Sequence, residues 1–549
     1  MAGAEASAPA TGGEGVTPPA GGSLLNVRAL EQRIADAMDA AGVPGLALAV
    51  VQGDEVVYAR DFGVTSVEDG GLSVTPQTLF RIGSTTKPLT GTAVMRLVEA
   101  GQLDLDRPVR ELLDWFALSE PGAERVTLRM LMSHTAGLPT AAEHVGSREP
   151  GGLEAYLRRE IASLPLVAPP GRVWSYSNPG VSLVGHLAEV AAGKPYAELM
   201  RELVFDPLEM GRTTFDPTVA MTYPLAQSHD RAEDGTLSVQ HRFAENTGHY
   251  PAGFAISTVL DLANFALMQM NGGSFRGRPV LSSESVAEMQ RRQARLYTAD
   301  DQGYGLTFGL GDYKGVRYVA HGGAISTFGS WFQMLPEHRL AVVALFNRLS
   351  PDLKLGAIAE SIYDQLLGLP AERPRRPSVE PDRARWPRCV GTYLGQWAGL
   401  ARIEAAEDRL VLELNGERMP LDPLAPDLYV HRKSADETVS VGFADDEYIM
   451  LNGSPARRSA IDDSFAPAAR LAAYAGTYHW ENVDRLVVRA EEGRLLVRSR
   501  FLKEEVACVP IGESRFACRL GVIEFESDPD GVVRRLRRGP TFVLTRGPE

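Results

Sequence analysis

A four-residue pattern occurs twice in the last third of the sequence and limits what that part of the chain can fold into. Val390-Gly391-Thr392-Tyr393 recurs as Ala475-Gly476-Thr477-Tyr478, 85 residues later. Each copy is followed by a hairpin-like run, at 409–414 and at 494–497. Short alternating strands with few helical runs predict a duplicated pair of small all-β units. Closed barrels are the form in which such units cover their own edges.

The segment ahead of this duplication is rich in proline and arginine, and we interpret residues 371–387 as a linker. At 549 residues the chain is too long for a single core. The first two dozen residues lack the charged and apolar regions of a signal peptide. We therefore predict a disordered tail at 1–23, a large domain at 24–370, the linker, a first barrel at 388–468 and a second at 469–549.

The large domain combines helices and hairpins in a layered pattern. Helical spacing at 25–41 and 353–367 flanks hairpins predicted at 45–58 and 330–346, which lie near the two ends of the domain. Strands from the two ends would share one sheet, with helices against it and a helical subdomain formed by the residues between. The pattern predicts the α/β fold class.

Charge and cysteine content exclude several classes of partner. The net charge of −14 argues against a nucleic-acid or anionic-membrane partner, because either would require a basic face. No apolar run reaches the length of a transmembrane helix. Three cysteines cannot form a disulfide framework, and an odd number suits a reducing compartment. We therefore expect a cytoplasmic protein.

Ser84 and Lys87 are separated by two residues, and a helix predicted from Pro88 to Glu99 follows them. Residues three apart share one face of a helix, so the hydroxyl and the amine would point into the same volume. A serine at a helix N-terminus also lies where backbone N–H groups favour a developing negative charge. Of the six lysines, only Lys87 has a serine three residues before it. We interpret the pair as a nucleophile beside a base.

Two further polar signals lie in the same domain. Tyr176 and Asn178 occur in a loop ahead of a helix predicted at 181–192, and Tyr-x-Asn is found nowhere else in the chain. His321 follows a strand predicted at 316–320, and the two glycines after it would let a substrate approach a sheet edge closely. These positions extend the candidate site beyond Ser84 and Lys87.

Two other histidines compete for a catalytic interpretation. His144-Val145-Gly146 also matches His-x-Gly, but it lies in a loop-like stretch, so we prefer His321. His134 stands in a turn that ends in glycine and proline, where a histidine is more often a structural hydrogen-bonding residue than a catalytic one.

Together these motifs resemble those of the serine β-lactamase and penicillin-binding protein superfamily, on the branch of class C β-lactamases, esterases and D-aminopeptidases. The resemblance covers about residues 25–370 and includes Phe80-Arg81-Ile82-Gly83, the turn at 134–139 and Tyr304-Gly305. Class C β-lactamases carry Lys-Thr-Gly where this chain has His321-Gly322-Gly323, which favours the esterase, peptidase and transacylase relatives. The two β units resemble the D-aminopeptidase layout.

The resemblance implies both a fold and a mechanism. The fold would be a β-lactamase-like catalytic domain, with an antiparallel sheet flanked by helices and a helical subdomain, followed by two lipocalin-like barrels. Ser84 would form an acyl-enzyme with Lys87 as base, if burial and a neighbouring positive charge lower the lysine pKa. Tyr176 would carry the proton, and His321 would orient the substrate or the Tyr176 hydroxyl. The substrate-binding residues would be Asn178, Gly322, Gly323 and Ala324, with the N–H groups of Ser84 and Ala324 as the oxyanion hole.

The leading interpretation is a serine hydrolase that cleaves an amide or peptide bond, including one next to a D-residue. An esterase or a transacylase, including a thioesterase that cyclises or releases a nonribosomal peptide, shares the same acyl-enzyme. A non-enzymatic acyl-trapping sensor is disfavoured, because a trap can dispense with Lys87 and Tyr176. We expect a small-molecule or peptide substrate, no cofactor and no metal, and we allow for a homodimer.

Overall fold

The computed structural model describes residues 25–547 apart from 233, 371–378, 435–436, 462–469, 481–483, 500–501, 503 and 540. The predicted tail at 1–23 and the first part of the predicted linker lie outside these residues. The described chain forms an α/β domain followed by two closed antiparallel barrels. The predicted fold class is confirmed.

An eight-stranded antiparallel sheet forms the centre of the first domain. Its strands are β1 (Gly45–Gln52), β2 (Glu55–Gly63), β3 (Ala294–Arg295), β4 (Gly303–Tyr304), β5 (Gly309–Tyr313), β6 (Val316–Ile325), β7 (Phe328–Leu335) and β8 (Leu340–Phe346). They lie in the order β2-β1-β8-β7-β6-β5-β4-β3. The two terminal parts of the domain therefore meet in the middle of the sheet, where β1 pairs with β8.

Strand β1 is buried on both faces, which explains its continuous run of apolar residues. Ala47, Ala49 and Val51 belong to one core cluster, and the residues between them belong to the other. The five longest helices of the described chain are α1 (Val27–Ala41), α2 (Thr86–Glu99), α3 (Asn178–Ala192), α4 (Val259–Met270) and α5 (Leu355–Leu367). Helices α1 and α5 cover one face, and α2 and α4 belong to the core on the other.

The residues between β2 and β3 form the predicted helical subdomain around α3. Its shorter helices are Leu128–Met132, Gly152–Glu160, Tyr196–Met200, Pro217–Ala220 and Tyr250–Gly253, with a π-helical turn at Arg201–Phe205 and a further helix at Ser283–Met289 beside the sheet. Three two-stranded ribbons pair Phe80–Arg81 with Ile256–Ser257, His229–Arg231 with Leu237–Val239, and Ser274–Phe275 with Arg278–Pro279. The first of these ribbons places the residues before Ser84 next to the end of the subdomain.

Three predicted boundaries around the site are wrong. Helix α2 begins at Thr86, not at Pro88, so Lys87 lies in its first turn. Helix α3 begins at Asn178, because Ser177 caps it and Pro179 occupies its first turn, so Asn178 is helical and not in a loop. Strand β6 does not end at residue 320 but continues to Ile325, because its cross-strand pairing with β7 runs on through the glycines.

The two barrels repeat one design. The first has strands Gly391–Gly395, Gly399–Ala405, Leu410–Leu414, Glu417–Ala425, Leu428–Arg432, Thr438–Phe443, Tyr448–Leu451 and Ser454–Arg458. The second has Gly476–Trp480, Asp484–Glu491, Arg494–Arg498, Val506–Pro510, Arg515–Cys518, Gly521–Ser527, Val533–Arg538 and Phe542–Arg546. Short helices at Trp386–Cys389 and Leu471–Tyr474 precede them. In each copy of the repeated motif the tyrosine hydroxyl, of Tyr393 or Tyr478, donates to a carbonyl four residues earlier, at 2.9 and 2.8 Å.

The three cysteines are buried and free of disulfide bonds. Within the described ranges, no helix is both long enough and apolar enough to cross a bilayer.

Candidate active site

Ser84 lies in a helical turn, Gly83–Thr85, that continues directly into α2. Gly83 adopts a φ of 51°, a left-handed conformation that glycine tolerates best. The Thr86 hydroxyl donates to the Gly83 carbonyl at 2.7 Å. The half-buried Ser84 therefore lies at the N-terminal end of the helix. Backbone N–H groups at this end have no acceptor in a preceding helical turn.

Buried hydrogen bonds fix this turn to the sheet. The Ser330 hydroxyl of β7 lies 2.7 Å from the Thr85 hydroxyl and donates to the Ile82 carbonyl, also at 2.7 Å. Thr85 donates to the carbonyl of His321 in β6 at 3.3 Å. Because these groups are buried and paired with one another, the position of Ser84 relative to β6 is held by the core and not by the loop alone.

Lys87 has no exposed surface, and its amine contacts three oxygens. Nζ lies 3.0 Å from Oγ of Ser84, 2.8 Å from Oδ1 of Asn178 and 2.5 Å from the carbonyl of Ala252. Burial lowers the pKa of Lys87 well below its usual range, because desolvation disfavours the ammonium. This shift arises from burial and not from the neighbouring positive charge that the sequence analysis also invoked.

Tyr176 is brought to Ser84 by a loop that His134 supports. The Tyr176 hydroxyl hydrogen-bonds to the Ser84 side chain, and burial raises the pKa of this hydroxyl above its usual range. Nζ of Lys87 lies 4.8 Å from the centre of the Tyr176 ring. The backbone N–H of Ser177 donates to Nδ1 of His134 at 3.2 Å, and the His134 and Tyr176 rings are 4.4 Å apart. His134 thus holds the loop and does not contact the Ser84 hydroxyl.

Both ends of the Asn178 amide are engaged. Oδ1 accepts from Lys87, and Nδ2 donates to the Ala141 carbonyl at 2.9 Å. In this arrangement Asn178 orients the lysine amine. Holding a substrate amide, the role predicted from the sequence, would require Nδ2 to exchange its Ala141 partner for the substrate carbonyl.

His321 is nearly buried, and both of its ring nitrogens have partners. Nδ1 donates to the Gly322 carbonyl at 2.7 Å, so Nε2 accepts from the Tyr304 hydroxyl at 3.0 Å. Burial lowers the pKa of His321 to about 3. Its ring lies 6.4 Å from that of Tyr176, so it is a neutral residue at the edge of the site.

The backbone of β6 approaches the Ser84 turn so closely that only glycine fits at one position. A methyl group on Gly323 would lie 2.0 Å from the Ile82 carbonyl and 2.9 Å from the backbone nitrogen of Ser84. A methyl group on Gly83 would lie 2.5 Å from the backbone nitrogen of Ala324. The two N–H groups predicted to form an oxyanion hole, those of Ser84 and Ala324, therefore belong to segments in direct contact.

Three cavities meet at this point. A cavity of about 600 Å³ lies over Ser84 and reaches Tyr176, His321 and Ala324. A second, of about 410 Å³, continues from Tyr176 and His321 towards β5. A third, of about 230 Å³, continues from Ala324 towards the second barrel. The site is thus open on two sides of the nucleophile.

The structure brings Ser84, Lys87, Tyr176 and Asn178 into one hydrogen-bonded group, while their chemical roles stay predictions. Three further groups contact predicted site residues and were not predicted as part of the site: the Ala252 carbonyl, the Ala141 carbonyl and the Tyr304 hydroxyl. Tyr304-Gly305 was a motif of the resemblance, whereas nothing local marks the two carbonyls, which lie far from their partners in sequence. No cluster of three or more potential metal ligands occurs among the residues that the structure describes.

The Beta-lactamase family model matches residues 30–365 of this chain. Penicillin-binding protein 4 of Amycolatopsis lactamdurans is 30% identical over 334 residues, which are 59% of this chain and 84% of that protein. Esterase EstB of Burkholderia gladioli is 31% identical over 328 residues, 52% of this chain and 82% of that protein. These similarities span the domain that contains Ser84 and Lys87.

Among solved structures, the octameric penicillin-binding protein homologue from Pyrococcus abyssi matches with a TM-score of 0.55 and 25% identity. The match covers 79% of this chain and all of that one. It therefore includes part of the barrel region as well as the first domain.

Proposed function

The chain belongs to the Beta-lactamase family of serine hydrolases, and from this premise we propose that it cleaves an amide or ester bond through an acyl-enzyme on Ser84. The observation that carries the proposal is the contact between the two motif residues. A fully buried amine lies 3.0 Å from the serine hydroxyl, and its burial favours the neutral form, which is the form that can act as a base.

Acylation begins with transfer of the Ser84 proton to the neutral Lys87 amine as Oγ attacks the carbonyl carbon. The negative oxygen that forms would accept hydrogen bonds from the N–H groups of Ser84 and Ala324. Tyr176, whose raised pKa keeps it protonated, donates its proton to the leaving group and is reprotonated from Lys87. In deacylation a water molecule passes a proton through Tyr176 to Lys87 as its oxygen attacks the acyl carbon. Lys87 then returns the proton to Oγ of Ser84 as the ester bond breaks, which releases the acid and frees Ser84.

We favour an amide bond over an ester as the natural substrate. An amine is a poor leaving group unless it is protonated, and a buried tyrosine bound to Ser84 can supply that proton. Cleavage beside a D-residue is the narrower hypothesis that comes from the D-aminopeptidase layout. Matched D- and L-amino acid p-nitroanilides would test it, because the two series differ only in the configuration next to the scissile bond.

Labelling with a fluorophosphonate tests the nucleophile. The wild-type chain should gain one adduct on the peptide that contains Ser84, and Ser84→Ala should lose the adduct and all turnover while its thermal midpoint stays within about 2 °C. Ser133→Ala is the matched control, since Ser133 is a buried serine of the neighbouring turn that bonds to Arg129 and Thr135. An adduct on another serine would contradict the assignment, and an adduct without turnover would indicate an acyl-trapping sensor.

Acyl transfer to an amine is a second candidate function, favoured by the cavity of about 410 Å³ on the Tyr176 side. Asp300, Asp312 and Glu360 line this cavity together with several aromatic residues, and among the residues that the structure describes no lysine or arginine lines it. An acceptor amine would find a favourable electrostatic environment there. The test is to hydrolyse a p-nitrophenyl ester in the presence of amino acid amides. Formation of an amide product would indicate acyl transfer, the class that includes peptide release by cyclisation. Formation of the free acid alone would indicate hydrolysis.

A further inference from the structure

The proposed function rests on an acyl-enzyme, and from the cavity beside Ala324 we infer the kind of acyl group that it carries. We propose that the cavity of about 230 Å³ between the catalytic domain and the second barrel binds an apolar side chain on the acyl side of the substrate. Trp480 and Phe542 of the second barrel would be its specificity-determining residues.

The position of the cavity assigns it to the acyl side. It shares Ala324 and Leu349 with the cavity over Ser84, but neither Tyr176 nor His321 lines it. In the tetrahedral intermediate the oxyanion faces the N–H of Ala324 and the leaving group faces Tyr176. The remaining substituent of the carbonyl carbon is the acyl chain, so it points towards Ile325 and the second barrel.

Aromatic rings from all three domains contribute to the walls. The Trp480 and Phe542 rings are 4.8 Å apart in an edge-to-face arrangement, and Trp397 of the first barrel lies 5.5 Å from Phe542. His144 of the catalytic domain lies 5.2 Å from Trp480. Such walls bind an apolar group by excluded water and ring contacts, and they offer few hydrogen bonds to a polar one.

Among the described residues of the lining, the one arginine is Arg538, and its guanidinium already has partners in the protein. Nε of Arg538 donates to the Leu520 carbonyl at 2.9 Å, and its guanidinium lies 4.9 Å from the Trp397 ring centre. The remainder of the lining is predominantly aliphatic and aromatic. We therefore assign the cavity to an uncharged apolar group and not to a carboxylate.

Contacts between domains fix the walls relative to Ser84. The Thr541 hydroxyl, next to Phe542, donates to the Thr140 carbonyl at 2.7 Å. The two barrels also meet closely, since a methyl group on Gly521 would lie 1.9 Å from the Gln396 carbonyl, next to Trp397. Contacts between the domains therefore fix the cavity as part of the active-site cleft, and both barrels contribute to it.

Its size selects among apolar groups. A closed apolar cavity of roughly 150 Å³ is sufficient for benzene. A cavity of about 230 Å³ therefore has room for a phenyl ring or a branched chain of leucine size. The expected substrate has such a side chain on the residue that supplies the scissile carbonyl.

The test compares p-nitrophenyl phenylacetate with p-nitrophenyl acetate on the full-length protein. The ratio of their kcat/KM values should favour phenylacetate in the wild type and should fall by about tenfold to a hundredfold in Phe542→Ala and in Trp480→Ala. Phe516→Leu is the matched control: it alters a buried phenylalanine in the core of the same barrel, which does not line the cavity, so it should leave the ratio unchanged.

A ratio that changes by less than about twofold in both cavity variants would overturn the proposal. An equal fall in Phe516→Leu would overturn it as well, since the effect would then come from barrel stability. Failure of the underlying acyl-enzyme mechanism has a different signature, because hydrolysis of both esters would then survive Ser84→Ala.

Discussion

Lys87 is the residue whose chemistry depends most on its surroundings. Its amine is buried among the Ser84 hydroxyl, the Asn178 amide and the Ala252 carbonyl, so its neutral form is available at a lower pH than that of an exposed lysine. An arginine here would keep a positive charge but could not accept a proton, because a guanidinium stays protonated.

Lys87→Arg should therefore reduce kcat by about 100-fold to 10,000-fold, measured with the most active ester of the panel. In the wild type, kcat/KM should rise with pH through the folded-state pKa of Lys87, since the base must be neutral. Lys314→Arg is the matched control, because Lys314 is also buried but forms an ion pair with Asp364. Wild-type turnover in Lys87→Arg would move the role of base to another group, with Tyr176 first.

Two buried histidines, one of them at the site, make the folding stability of the protein depend on pH. Burial lowers the pKa of His249 and of His321 to about 3, so between pH 6.5 and that value the unfolded chain binds protons that the folded chain does not. Folding stability should consequently fall as the pH falls through this range. Each such histidine contributes up to about 1.4 kcal/mol per pH unit.

His249→Gln should weaken this dependence by about that amount per pH unit, measured from denaturant unfolding of the catalytic domain at several values between pH 6 and pH 4. His338→Gln provides the control, because His338 lies exposed in the turn between β7 and β8. Equal slopes for the wild type and His249→Gln would mean that His249 titrates normally in the folded protein.

At the level of secondary structure elements, the contact between β6 and the start of α2 determines whether an oxyanion hole can form. Gly323→Ala places a methyl group 2.0 Å from the Ile82 carbonyl, so one of the two segments must move. Separating them displaces the N–H groups of Ser84 and Ala324, and we expect kcat to fall by about 100-fold or more. Steady-state kinetics with an ester of small acyl group measures the loss.

Gly322→Ala is the matched control for this change. Its methyl group would lie no closer than 3.6 Å to the Ser330 carbonyl, so neither β6 nor the Ser84 turn has to move. Its thermal midpoint should stay near the wild-type value, whereas that of Gly323→Ala should fall. If the two variants lose kcat equally, the close contact at Gly323 is not what organises the site.

The secondary structure elements also show which features could be predicted from local sequence and which depend on tertiary contacts. The terminal hairpins, the duplicated tyrosine motif and the spacing of Ser84 and Lys87 are local signals, and the structure contains the elements they predict. The start of α3 at Asn178 also has local signals, the capping residue Ser177 and the first-turn proline Pro179. The extension of β6 was not visible, because glycines usually weaken a strand and only pairing with β7 maintains it here. The Ala252 carbonyl reaches Lys87 across 165 residues, a contact that no local pattern encodes.

At the scale of the whole molecule, the barrels support the loop that carries Tyr176. Arg172 of this loop forms ion pairs with Asp445 at 2.8 Å and Glu447 at 2.6 Å. A small apolar cluster joins Ala168 and Val173 of the catalytic domain to Tyr448 and Met450 of the first barrel, each of which is almost completely buried. The apolar contacts should matter more than the ion pairs, since each pair is about one third exposed and such pairs contribute at most about 1 kcal/mol.

A chain truncated after Pro370 would lack both barrels. The apolar residues of the catalytic domain that pack on the first barrel, Ala168 and Val173, would then be exposed to water. The sheet and its two helical layers lie within residues 25–370, so we expect this chain to fold and to acylate Ser84. Its kcat should fall by about tenfold or more for every substrate, because the Tyr176 loop loses the surface on which it packs. Its preference for apolar acyl groups should disappear with Trp480 and Phe542, so that bulkier acyl groups are accepted. Fluorophosphonate labelling and the ester panel measure these effects separately.

The full-length variant Asp445→Asn with Glu447→Gln distinguishes the two kinds of contact, because it removes the charges that pair with Arg172 and keeps the apolar cluster. It should retain nearly all activity if packing holds the loop. If the truncated chain is insoluble, the barrels are needed for folding. If its kcat and acyl preference are unchanged, the barrels have no role in catalysis or in substrate selection. A general loss of kcat combined with a lost acyl preference is expected only if the first barrel supports Tyr176 while the second lines the cleft.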